Sequence, residues 1–353
     1  MSKFFSEKYD KLVAYVPGEQ PKQKFIKLNT NENPFPPSPL AQRLARQEAG
    51  NLNLYSDTEC KDLVAMAAEK LGVKAEEIIF TNSSDEILNF AFMAFCDAKH
   101  PAVFADITYG FYPVFANLNG VPYREIPLKE DFSIDVNDYL NVGATIFIVN
   151  PNATVGKNLS LQDIEKIVAA NQDNVVVIDE AYVDFGGETA IPLTRKYSNL
   201  LVTRTFSKSR SLAGARLGFG VACPDLIKDL HIIRYSTNPY NVNRMTMAAG
   251  IGALADEEYF KECCTKIIAN REYTTAALQK FGYKVFPSKG NFVLIGHPTL
   301  DGKTLNSKLK EHGILARFLT SPRLEKYVRL SIGNREDMEE CVKVLQMIME
   351  EKA

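Results

Sequence analysis

Val202-Thr203-Arg204-Thr205-Phe206-Ser207-Lys208-Ser209-Arg210-Ser211-Leu212-Ala213-Gly214-Ala215-Arg216-Leu217-Gly218 is the stretch on which the reading of this 353-residue chain turns. Leu200, Leu201 and Val202 form a short apolar run, which predicts a strand buried on both faces. Hydroxyl residues then crowd a single lysine, Lys208, and a turn of small residues leads on to Arg216. A lysine at the end of a buried strand, beside an arginine and several hydroxyls, is a candidate nucleophile towards a carbonyl carbon. Thr205, Ser207 and Arg216 offer hydroxyl donors and a forked guanidinium, the groups that hold a phosphate. A nucleophilic lysine next to a phosphate site points to pyridoxal phosphate. A solvated lysine at a strand end, with a structural arginine, accounts for the same residues without a ligand.

Upstream the pattern repeats. Apolar runs at 78–80, 102–105, 146–149 and 175–178 alternate with helical segments, which predicts an α/β fold with a mostly parallel central sheet covered by helices. Function in such a sheet collects just past the carboxyl ends of its strands. Polar, turn-forming or aromatic residues follow each run: 81–85, 106–110, Asn150-Pro151-Asn152, Asp179-Glu180-Ala181-Tyr182 and 203–208. Asp179 ends an all-apolar strand, where a carboxylate must find a partner or change protonation. Beside a pyridine nitrogen it would keep that nitrogen protonated, so that the ring draws in electrons; a helix cap is the alternative. Tyr182 is a candidate donor to the cofactor's phenolic oxygen and Tyr109 a candidate platform under its ring, although each also reads as a core tyrosine with a satisfied hydroxyl. Ser83, Ser84 and Asp85 precede an apolar helix, whose first amides suit a phosphate or a plain cap.

The rest of the chain frames this sheet. Residues 1–40, rich in Asn and Pro after residue 29, read as an arm that joins a smaller domain. Residues 41–244 make the large cofactor-binding domain and residues 245–353 the smaller α+β domain. Helices are expected over 39–49 and, capped by Asp57 and ended by Gly72, along Leu63, Val64, Ala67 and Leu71. The last region should hold a long helix over 256–281, strands near 291–295 and 327–331, and a closing helix with Met338, Cys341, Val342, Leu345 and Ile348 on its core face. With 46% apolar and 24% charged residues and a net charge of −2, the composition is that of a globular protein with no field for nucleic acid. No apolar run reaches the roughly 18 residues of a membrane span. Six cysteines without Cys-x-x-Cys spacing and four scattered histidines argue against a metal site or a disulfide framework, and for a cytoplasmic enzyme.

The runs 179–182, 204–208 and 212–218, with Asn31-Glu32-Asn33-Pro34 near the start and Arg329-Leu330-Ser331-Ile332-Gly333 near the end, resemble the histidinol-phosphate aminotransferases over essentially the whole chain. The central motif is specific for fold-type I pyridoxal-phosphate enzymes and less so for this substrate. The resemblance implies a homodimer with shared active sites, in which Lys208 carries the cofactor, Asp179 meets its pyridine nitrogen and Tyr182 its phenolic oxygen. It further implies Tyr109 on the ring, Ser84, Asp85, Thr205, Ser207 and Arg216 around the phosphate, and Tyr55 reaching the neighbouring subunit's phosphate. Tyr15, Asn33, Arg317 and Arg329 fall at substrate positions, the arginines suited to the phosphate of histidinol phosphate and the carboxylate of glutamate. An ion pair of Arg329 with Glu325 or Glu336 is the structural alternative. The implied reaction is transamination between glutamate and imidazole-acetol phosphate in histidine biosynthesis. An aromatic-amino-acid aminotransferase and a threonine-phosphate decarboxylase share the architecture and remain alternatives; a dinucleotide-binding dehydrogenase lacks its Gly-x-Gly-x-x-Gly here. Two departures stand out. The family's second asparagine in Pro-Asn-Asn-Pro-Thr-Gly is Ala153, which leaves Asn152 as the candidate in that loop, and Ser83 replaces a frequent glycine.

Overall fold

A computed structural model describes residues 2–10 and 12–351; Met1 and Lys11 of the expected arm, and Lys352 and Ala353 of the expected smaller domain, lie outside the described residues. In chain order, β1 (Ile26–Lys27), α1 (Pro39–Glu48) and α2 (Lys61–Leu71) are followed by β2 (Ile78–Asn82), α3 (Ser83–Phe95), β3 (Ala102–Ala105), α4 (Tyr112–Asn119) and β4 (Tyr123–Ile126). Then come β5 (Thr145–Val149), α5 (Leu161–Ala170), β6 (Val176–Asp179), β7 (Leu200–Thr205), β8 (Leu217–Val221), α6 (Pro224–Thr237), α7 (Arg244–Ala255) and α8 (Glu257–Lys280). The chain closes with β9 (Lys284–Val285), β10 (Phe292–Gly296), α9 (Gly302–Glu311), β11 (Ile314–Leu315), β12 (Arg317–Phe318), β13 (Tyr327–Ser331) and α10 (Arg335–Glu350).

Seven strands form one sheet in the order β2-β8-β7-β6-β5-β3-β4, in which only β8 runs against its neighbours. Successive residues point to opposite faces. Ile79, Phe104, Phe147, Val177 and Leu201 therefore bury against α3, α4 and α6, while Phe80, Ile146, Ile148, Ile178 and Val202 bury against α1, α2, α5 and α7. Such two-sided burial explains why these strands read as unbroken apolar runs. Since β8 is antiparallel, its first residue lies at the edge where the parallel strands end. Arg216 thus arrives beside the end of β2, and its carbonyl accepts from Ser83 N at 2.8 Å.

Two strands of this sheet have no apolar run in the sequence. β4 is an edge strand with three of its four residues exposed, and glycines interrupt β8. Close packing requires the first: a Cβ on Gly218 would lie 2.3 Å from Ser84 N, whereas one on Gly220 would lie 2.2 Å from Ile87 Cδ1, the end of a side chain. Two expected helix starts also differ. Asp57 does not directly precede α2; its carboxylate accepts from Lys61 N at 2.8 Å across a turn in which Cys60 takes φ +51°. Ser83, Ser84 and Asp85 are the first turn of α3 rather than a loop before it.

The antiparallel sheet β12-β13-β10-β9 lies with α8, α9 and α10. β1 pairs in parallel with β11, and Leu28 O accepts from Ser331 N at 2.9 Å, so the segment that follows β1 runs past the end of β13. Asn31 is fastened there by Ser331 Oγ and by Asn291 Nδ2. Among the described residues no helix is long and apolar enough to cross a membrane, and no group of three His, Cys, Asp or Glu side chains is placed to hold a metal. All six cysteines are free.

Candidate active site

The strand ends converge on two joined chambers. The inner one, about 90 Å³, lies between the ends of β6 and β7, the first turn of α3 and Arg216. The outer one, about 350 Å³, extends towards β12, β13 and the segment around Tyr15. Tyr109, Ala153, Tyr182 and Lys208 line both.

Lys208 stands three residues beyond β7, in a turn held by Phe206 N on Leu217 O and by Ser207 N on Thr205 Oγ1. Its Nζ donates to Thr30 O at 3.3 Å and lies 5.9 Å from the centre of the Tyr182 ring. Asp179, 2% exposed, ends β6. Burial pushes its carboxyl up to about 7, against the pull of the Ala181 N–H and with the help of the Asp85 charge. Its other contact is the Tyr112 hydroxyl, at 3.3 Å. The bond from Ala181 N is the local cap that the sequence also allowed, yet it leaves the carboxylate facing the inner chamber.

Ser83 and Arg216 meet, and Ser84 lines the same chamber, because Gly218 lets β8 touch α3. Ser83 takes φ +67° and Arg216 φ +56°, both in the left-handed region. Ser83 thus keeps the conformation that glycine favours, and its hydroxyl accepts from Asp85 N. Ser207 Oγ is buried and finds no hydrogen-bond partner among the described residues. A buried hydroxyl without a partner is costly, and this one faces the Arg216 guanidinium and the amino end of α3 across the chamber. The donors fit a phosphate. The Asp85 side chain has partners of its own. Its carboxylate accepts from the Tyr109 hydroxyl at 2.6 Å and pairs with Arg216, so the side chain orients these two groups and leaves only its place in the helical turn to an anion.

Three other expected site residues are placed differently. Asn33 lines neither chamber: its Nδ2 donates to Lys208 O and Ser209 O at 2.9 and 3.2 Å, bracing the lysine turn from behind. Asn31 lines the outer chamber instead and donates to the Tyr182 hydroxyl at 3.1 Å. It takes φ +54°, a conformation asparagine tolerates better than most. Asn152 is also engaged elsewhere. Its Nδ2 donates to Ile107 O and its Oδ1 accepts from Thr154 N and Val155 N, so it builds its own loop, and it lines neither chamber. Tyr55 lies apart from both chambers, 79% exposed and stacked on Tyr240 with ring centres 4.4 Å apart.

Tyr15, Arg317 and Arg329 are brought together in the outer chamber. Tyr15 stacks on Phe111 at 4.3 Å. Arg317 and Arg329 are direct partners across β12 and β13. Arg317 donates to Val16 O, and Arg329 donates to Ala153 O and lies over the Phe292 ring. Among the described residues neither forms an ion pair, so the Glu325 and Glu336 alternative fails, and Arg329 Nε is buried without a partner. Burial pushes the Arg329 guanidinium below its ordinary value, and the Arg317 charge adds to the effect.

The family model for class I and II aminotransferases matches residues 23–345. The chain belongs to the class I and II aminotransferases. It is 46% identical over 342 residues to the histidinol-phosphate aminotransferase of Clostridium acetobutylicum, covering 96% of this chain and 97% of that one. It is also 46% identical over 352 residues to the enzyme of that name from Brachyspira hyodysenteriae, covering 99% of each. The histidinol-phosphate aminotransferase of Sinorhizobium meliloti, solved in complex with pyridoxal 5'-phosphate, superposes with a TM-score of 0.91 at 25% identity, over 100% of this chain and 99% of that one. This aminotransferase therefore has the fold-type I architecture expected from its sequence, with the joined chambers where the parallel strands end.

Proposed function

We propose that this aminotransferase uses pyridoxal phosphate to move an amino group from glutamate to imidazole-acetol phosphate, releasing 2-oxoglutarate and then histidinol phosphate. The observation that carries the choice of substrate is the cross-strand pair Arg317 and Arg329, without a carboxylate partner among the described residues. Like charges directly opposite on neighbouring strands repel, and an anion between them relieves the repulsion. Each half-reaction supplies one, the carboxylate of glutamate or the phosphate of the second substrate.

Bound in the inner chamber, pyridoxal phosphate supplies a ring that accepts the electrons left when a proton leaves the substrate's amino-bearing carbon. The residues present suit it. Ser207 Oγ, Thr205 Oγ1, Arg216 and the first turn of α3 would hold the phosphate, and Asp179 would keep a proton on the ring nitrogen. The Tyr182 hydroxyl, set by Asn31, would donate to the phenolic oxygen, while Tyr109 would support the ring. Lys208 Nζ, where the chambers meet, would take the proton from the substrate carbon and return it to the cofactor carbon on the far side of the shared nitrogen. Arg317, Arg329 and Tyr15 fix the far end of the substrate, so this transfer occurs at one carbon only.

Specificity constants for histidinol phosphate and histidinol test the reading. The phosphorylated compound should be preferred by roughly 30-fold or more, since an arginine left without its anion costs about 2–5 kcal/mol, and Arg317→Ala and Arg329→Ala should each erode the preference. A wild-type enzyme that does not distinguish the two, or that prefers an aromatic amino acid, would overturn it.

The same reading makes the enzyme a homodimer with shared sites. Leu52, Leu54, Tyr55, Tyr235 and Tyr240 expose apolar surface on the 52–59 turn and the α6–α7 region that it contacts. A patch of this kind suits a subunit interface. Exchange of subunits between Lys208→Ala and Tyr55→Phe proteins should yield heterodimers with one intact site and one doubly damaged site, and activity above the sum of the parents. No recovery after exchange verified by mass spectrometry would return Tyr55 to its own subunit. The division into an arm (1–40), a large domain (41–244) and a smaller domain (245–353) belongs to this proposal, with the outer chamber drawing its walls from all three. Six free cysteines suit the reducing cytoplasm.

A further inference from the structure

On the face of the sheet opposite the inner chamber lies a buried chain of charged side chains that the proposed chemistry does not use. Strand alternation sends Thr203 and Thr205 towards the chamber and Arg204 away from it. The Arg204 guanidinium pairs with Asp184 and lies 3.7 Å from Glu180 Oε2. Glu180 is fully buried, with Ala190 N and Thr189 Oγ1 donating to its carboxylate. Asp184 also accepts from the hydroxyl of buried Ser209. Burial works against the Asp184 charge, but Arg204 and Ser209 more than offset it, and its carboxyl is held below the ordinary range. Each member is one or two residues from a group facing the chamber: Glu180 follows Asp179, Asp184 is two residues after Tyr182, Arg204 precedes Thr205, and Ser209 follows Lys208.

We infer that Glu180, Arg204, Asp184 and Ser209 are positioning residues, which set Lys208 relative to Asp179 and Tyr182 through the backbone they share. The inference rests on the proposed role of Lys208. The arrangement has a mechanical logic. Lys208 lies outside any helix or strand, with its Nζ on a single carbonyl. The turn is gripped from one side by Asn33, on the carbonyls of Lys208 and Ser209, and from the other by Ser209 on Asp184. Because Asp184 is tied through Arg204 to the end of β6 and to β7, a shift of the lysine turn must break the partly buried Ser209–Asp184 hydrogen bond. Misplacement by a fraction of an ångström slows proton transfer without weakening the binding of a substrate held at its far end.

Ser209→Ala removes one hydroxyl and leaves the Arg204–Asp184 pair intact; Asp184→Asn keeps an acceptor for Ser209 and removes the charge that faces Arg204. In holoenzyme, with turnover expressed per bound cofactor, Ser209→Ala should lower kcat about tenfold while KM for both substrates stays within about twofold. The pH midpoint at which the absorbance of the bound cofactor changes should shift by about half a unit or more, since that midpoint reports the surroundings of the lysine nitrogen. Asp184→Asn should change both in the same direction. Wild-type kcat per bound cofactor and an unmoved midpoint in the two variants would reduce the network to packing. A loss of cofactor content with unchanged turnover per cofactor would do the same. Failure of the Lys208 role itself would look different, because the wild-type absorbance would then survive Lys208→Ala.

Discussion

Lys208→Ala is expected to lose turnover by a factor of about 10⁴ or more, the upper range for a positioned group that moves protons, and to lose the absorbance band near roughly 400–430 nm that marks a cofactor held covalently by a lysine. The expectation follows from placement. Lys208 lines both chambers, and its amine lies beside Tyr182 with a single backbone carbonyl for a partner. Borohydride treatment of the wild-type protein should bleach the band and fix the cofactor to the peptide that contains Lys208. A reduced adduct that maps to any other lysine would remove Lys208 from the mechanism, whatever the activity of the variant.

Asp179→Ala should keep much of its cofactor, because the phosphate groups remain, but lose turnover on the order of 10³-fold, about 4 kcal/mol of transition-state stabilisation. Near-normal activity would reduce Asp179 to the cap on Ala181 N. The same carboxylate gives a measurement that needs no substrate. Its pKa in the folded protein is raised to about 7 from an ordinary 3.8, chiefly by burial. In the cofactor-free protein the folded state therefore holds this proton more tightly than the unfolded chain does. The resulting stabilisation is complete below the ordinary value and is lost as pH rises towards 7, by up to about 1.4 kcal/mol per pH unit. Denaturation midpoints between about pH 5.5 and 7.5 should fall with rising pH more steeply for the wild type than for Asp179→Asn. Glu180, also raised to about 7 by burial, is common to both proteins and drops out of the comparison. Parallel profiles would show that the Asp179 proton is not linked to folding.

The central strands were legible because a strand buried on both faces has little choice of residue: β2, β3, β5, β6 and β7 all appear as apolar runs. β8 was hidden for the opposite reason. It passes close to α3, and two of its five positions are glycines, which carry no hydrophobic signal. Site residues divide in a similar way. Lys208, Asp179, Tyr182, Ser207 and Arg216 sit at strand ends or beside them, where the chain direction already aims them at one chamber. Asn33 and Asn152 line neither chamber: an asparagine in a loop can serve its own backbone as well as a ligand, and its sequence context does not distinguish the two uses.

By itself, then, the sequence determined five central strands of the sheet, their burial on both faces and the lysine motif, all of which follow from local periodicity and from chemistry adjacent along the chain. Only the tertiary structure decided that Asn31 rather than Asn33 lines the chamber, that Asp85 serves Arg216 and Tyr109, and that Arg317 faces Arg329. It alone assembled Glu180, Arg204, Asp184 and Ser209 behind the reactive groups. Each of these depends on contacts between segments far apart in the chain, and no local pattern encodes which of several equally polar side chains a distant backbone will claim.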